Sequence, residues 1–102
     1  MVTYKTKERE DLKRVFIWST NKLSESEMYN LHDYLKNNHD VYWINGTTVT
    51  EVDGDTITIT DGSHKITIEL IGDKTMAVFT IDGYRIFNFL VHKEGNSFEV
   101  YS

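Results

Sequence analysis

The chain has 102 residues, a mass of 11.9 kDa and a formal net charge of -5, with 39% hydrophobic and 26% charged residues. It contains neither cysteine nor proline, which excludes disulfides, cysteine nucleophiles, thiolate metal sites and a proline-rich linker. The length suits one α+β domain over 1–102, and no apolar run is long enough to cross a bilayer, so no membrane partner is expected.

Met1 to Arg14 is dense in charge and lacks the apolar stretch of a secretory leader, so the sequence reads as cytoplasmic. Leu12, Val15, Phe16 and Ser19 have helical spacing, and we read a helix from about Lys7 to Ser19. The alternative is a strand over Arg14 to Ser19, because Val15-Phe16-Ile17-Trp18 is a β-branched and aromatic run. A second helix is predicted from Ser24 to about Asn38. Ser24 and Glu27 have the spacing of a capping box, Leu23 and Met28 that of a hydrophobic staple, and Met28, Leu31 and Leu35 form one apolar stripe. Together these make residues 1–40 a helical segment.

Residues 41–102 read as an antiparallel β meander. All six glycines fall after residue 45, most of them beside Asp or Asn, at spacings of 8, 8, 10, 11 and 12 residues. Such pairs tolerate the positive φ of tight hairpin turns, and the spacing is that of short strands joined in sequence. Candidate strands are Val41 to Asn45, Thr47 to Val52, Asp55 to Thr60, His64 to Ile71, Thr75 to Ile81, Tyr84 to His92 and Ser97 to Tyr101. Thr56 to Thr60 and Lys65 to Leu70 alternate apolar with polar, as on a sheet with one wet face. Thr75 to Ile81 and Tyr84 to His92 are apolar on both faces, so a second layer, strong curvature or another subunit must cover them. The fold expected is α+β: an N-terminal helical segment packed on a curved antiparallel meander of about six strands.

Charge is divided unevenly. Residues 1–40 hold seven basic and seven acidic side chains, whereas the remainder holds four basic against nine acidic, so the excess belongs to the sheet. That argues against direct nucleic-acid binding, which rests on Lys and Arg neutralising phosphates. Asp82-Gly83-Tyr84-Arg85-Ile86-Phe87 bears aromatics on a strand, but consecutive hairpins and an acidic sheet do not suit an RNA-stacking face. Because turns of a meander alternate between its ends, Asp53, Asp55 and Asp73 should form an acidic surface at one end, with Asp61 and Asp82 at the other. Each is also a favoured turn residue.

No catalytic motif stands out, and a non-enzymatic role is expected, with no cofactor and no metal. The sequence has no Gly-x-Ser-x-Gly, no glycine-rich phosphate loop and no calcium loop with a distal Glu. His32 and His39 lie seven apart; His39 suits a helix C-terminus, His32 a helix boundary, and His64 and His92 read as surface residues at strand ends. Asn45-Gly46-Thr47 has the form of a glycosylation sequon and reads as a turn. The aromatics exceed what a one-faced core absorbs. We therefore read a protein-binding module, an adaptor or regulator docking on a protein partner or a second copy through Phe79, Tyr84, Phe87 and Phe89. The alternatives are an acidic inhibitor imitating nucleic-acid charge and a carrier of a small apolar ligand between helix and sheet.

Overall fold

The computed structural model of the chain describes residues 12–45 and 47–102. The described chain enters on β1 (Arg14–Ser19) and β2 (Lys22–Leu23) and runs through helix α1 (Glu25–His39). It continues as β3 (Val49–Asp53), β4 (Thr56–Thr60), β5 (Lys65–Ile71), β6 (Met76–Ile81), β7 (Tyr84–Glu94) and β8 (Ser97–Tyr101). The strands form one antiparallel sheet in the order β2-β1-β8-β7-β6-β5-β4-β3, so the class is α+β as expected, with eight strands in place of about six. The two additional strands come from the N-terminal segment.

The helix read over Lys7 to Ser19 does not form across its described part. Lys7 to Asp11 lie outside the described residues, and Arg14–Ser19 is strand β1. Period two prevails there because Phe16 and Trp18 both turn inward, opposite Val100 and Phe98, while Ile17 faces outward opposite Glu99. Val41 to Asn45 is likewise not a strand. Val41 and Ile44 are both buried, and residues three apart lie on opposite faces of a strand, so burying both requires a loop.

Helix α1 follows its sequence signals. Ser24 is the N-cap in an extended conformation (φ -65°, ψ 158°), and its hydroxyl accepts the Glu27 N–H at 3.3 Å. Leu31 and Leu35 are fully buried, and Met28 and Tyr34 pack against the same core. The helix ends at Asp40, whose left-handed φ of 54° turns the chain back so that Val41 N–H reaches Leu35 C=O at 3.3 Å. Ser24→Ala should cost about 1 kcal/mol, seen as a lowered thermal midpoint with the fold retained.

Hairpins set the register of the meander. At Asp82-Gly83 both residues have positive φ (51° and 87°), the geometry of a two-residue turn that matches the strand twist. The sheet then curls until its ends approach: Gly54 N–H donates to Thr20 C=O at 2.9 Å and the Trp18 indole N–H donates to Gly54 C=O at 3.3 Å. The concave side holds Phe16, Trp18, Phe79 and Phe89 with Ile57, Ile59, Ile66, Ile68 and Val100, all but completely buried. Phe89 meets Phe16 and Phe79 edge to face at 5.9 and 6.0 Å.

Candidate functional site

The structure divides the four aromatics predicted to bind a partner. Phe79 and Phe89 are wholly buried, and Phe87 is half-buried beneath the helix, 4.2 Å from the His39 ring and parallel to within 8°. Tyr84, at the tip of the β6–β7 hairpin, is 76% exposed. No common surface presents the four together, since alternation sends Phe87 and Phe89 inward. The second apolar face of β6 and β7 is covered differently: Ile71, Met76, Leu90 and Tyr101 lie side by side across β5 to β8 and shield one another.

The acidic turns fall at the two ends expected. At one end Asp55 pairs with Lys74 (3.4 Å) and Asp73 accepts the Thr75 hydroxyl (2.8 Å), close to the turn that carries Asp53. At the other, Asp82 accepts the Lys65 N–H (2.8 Å) and meets His64 Nδ1 (3.1 Å), while Asp61 accepts the His64 and Ser63 N–H groups (2.7 and 2.8 Å). These backbone bonds favour the charged form and hold both carboxyls below their ordinary range; His64 adds to the effect at each. The His64–Asp82 pair stands on exposed turn tips, outside the two hollows described below.

His92, Glu94 and Glu99 share the convex face of the β7–β8 hairpin, with donor atoms within 4.8 Å of one another. Glu99 is held below its ordinary pKa, first by hydrogen bonding with Glu94 and then by the Tyr101 hydroxyl, 3.0 Å away. His39 lies in the last turn of α1 as expected, but the charged form favoured there by the helix dipole is opposed by burial. Its ring lies against Phe87, Phe79 and Tyr34, its Nε2 is buried with no hydrogen-bond partner among the described residues, and burial lowers its pKa despite neighbouring Asp40.

Two hollows of ≈ 400 and ≈ 480 Å³ border the helix, and both are lined by charged side chains, unlike a cavity for a wholly apolar ligand. The first runs between one stripe of α1 (Met28, His32, Asp33 and Lys36) and the loop carrying Ile44 and Thr48. That loop is shaped by Asn45, whose side-chain oxygen accepts the Thr47 N–H and hydroxyl (2.8 and 2.6 Å) and whose carbonyl accepts the Thr48 N–H (3.1 Å). His32 Nε2 is buried with no hydrogen-bond partner among the described residues, and its pKa is lowered first by burial and then by Lys36, with Asp33 opposing.

The groove reaches Thr48, the residue before β3, an end strand of the sheet. Asp55 C=O accepts Leu70 N–H at 2.9 Å, so odd-numbered residues of β4 bond to β5 and even-numbered ones to β3. With Thr56 opposite Asp53, Thr58 opposite Glu51 and Thr60 opposite Val49, the N–H and C=O groups of Thr50 and Val52 point away from β4. Gly54, next in that row, is tied to Thr20, but β2 has two residues and pairs with β1 alone. Among the described residues, the edge groups of Thr50 and Val52 have no backbone partner. The strand carries no Lys, Pro or bulge, but Glu51 and Asp53 place charge on it and β2 lies alongside. Glycine and proline patterns locate strands but do not say which one closes a sheet, so the sequence concealed this feature. Compared with known protein families, curated protein sequences and solved structures, the chain matches none in any of the three.

Proposed function

We propose that the protein is a non-enzymatic binding module that takes an extended segment of a partner protein as an added strand on β3. The observation that carries this reading is that the edge N–H and C=O groups of Thr50 and Val52 have no backbone partner among the described residues; the two-residue β2, which lies alongside, must move aside to admit a partner strand. Strand addition satisfies these two pairs of backbone groups through the partner's backbone. Docking through the β6–β7 aromatics loses its support, because two of them are core.

Selection from a random ten-residue peptide library should enrich sequences whose binding is lost in Thr50→Pro. Thr50 N–H faces the open edge, so proline there removes no ladder bond to β4 and the fold should persist, as circular dichroism will report. N-methylation of alternate peptide amides should abolish binding with the protein unaltered. Binding that survives both changes would refute strand addition.

A further inference from the structure

We infer that His92, Glu94 and Glu99, on the convex face of the β7–β8 hairpin, bind one divalent transition-metal ion of the zinc type. His92 and Glu99 are cross-strand partners, so their Cβ atoms are ~5 Å apart on one face, and Glu94, two residues beyond His92, shares that face by alternation. Gly95, with a φ of 61°, makes the turn that fixes this register. The donor atoms lie within 4.8 Å of one another, whereas donors bound tetrahedrally at ~2.0–2.2 Å from zinc sit ~3.3 Å apart. Side-chain rotation closes that difference with the backbone unmoved, because His92 and Glu94 are exposed and Glu99 is half-buried. A hydrated ion reaches all three from solvent.

The donor set selects the class of ion. One imidazole nitrogen with two carboxylates suits zinc, cobalt or manganese, while Ca²⁺ prefers an all-oxygen shell of about six to eight ligands. The electrostatics also call for a cation. Glu94 and Glu99 are within hydrogen-bond reach of each other, and two carboxylates in contact repel unless a proton or a metal lies between them. Among the described residues neither is ion-paired with Lys or Arg, and Arg14 is already engaged by Glu27 at 2.9 Å. The Tyr101 hydroxyl, donating to Glu99 Oε2 at 3.0 Å, steadies that carboxylate as a metal ligand requires.

Calorimetric titration of the chelator-stripped full chain with ZnCl₂ tests this. One ion per chain should bind, and excess Ca²⁺ should not displace it. His92→Ala and Glu99→Gln should each weaken binding about tenfold or more, with circular dichroism confirming the fold. His64→Ala, which removes an exposed histidine at a different hairpin tip, should leave binding unchanged. With the chain unaltered, zinc should shift the imidazole proton resonances of His92 and spare those of His64. Absence of saturable binding, equal binding by the wild type and His92→Ala, or an equal loss in His64→Ala would overturn the site; displacement by Ca²⁺ would overturn the class of ion.

Discussion

Phe89→Ala should destabilise the fold by about 3–5 kcal/mol, while Tyr84→Ala should change stability by no more than about 0.5 kcal/mol. Phe89 is completely buried and meets Phe16, Phe79, Phe87 and Tyr34 at ring-centre distances between 4.6 and 6.0 Å. Its removal opens a void that these rings, braced by both sheet and helix, cannot all collapse into. Since a domain of this size holds about 5–15 kcal/mol in total, the loss is a large fraction of its stability. Tyr84 loses only a solvated side chain. Urea titration of both variants measures the difference, and a Phe89→Ala protein as stable as the wild type would contradict the buried position of that ring.

His39→Phe should raise stability by about 1 kcal/mol and flatten its dependence on pH below neutrality. The imidazole occupies a site between Phe87, Phe79 and Tyr34 that suits a phenyl ring, and its buried Nε2 has no partner among the described residues. Burial places the folded pKa below the ordinary 6.5, so the unfolded chain takes up its proton first. Stability is therefore present in full above about 6.5 and falls as the pH drops through the folded value. His32 has the same sign and should leave a residual slope. Asp61, Asp82 and Glu99, also depressed, act in a separate window below their ordinary 3.8 to 4.5. Thermal midpoints between pH 5 and 8 decide it: a slope in His39→Phe equal to that of the parent would place the sensitivity elsewhere. Asp40 is the charged neighbour that opposes the shift, and the competing pull of the helix C-terminus is outweighed by the loss of water around the ring.

The legible parts of the molecule are those governed by neighbours in sequence. Ser24 caps α1 because its hydroxyl reaches an amide three residues on, and Asp82-Gly83 turns because those two residues accept positive φ. The alternation of Ile57, Ile59, Ile66 and Ile68 gave their burial directly. Arg14 to Ser19 was ambiguous because Val15, Phe16 and Ser19 satisfy a helical period as well as a strand, and pairing with β8 resolves it in favour of the strand. His39 does sit in the last helical turn, but its burial was not legible because the helix dipole is a local effect, whereas two of the three rings around it, Phe79 and Phe87, come from 40 and more positions away.

The candidate site was the least legible part, since an edge is defined by what fails to pair with it. Composition and spacing by themselves determined an α+β chain, one capped helix, the row of hairpins and the two ends at which the acidic turns gather. Tertiary structure alone decided that Phe79 and Phe89 are core, that Trp18 reaches Gly54 where the ends of the sheet approach, and that Thr50 and Val52 lack a backbone partner there among the described residues. The physical reason is range: turns and caps are settled by bonds within a few residues, but closure depends on contacts between strands far apart in the chain, whose lengths and curvature no local pattern encodes.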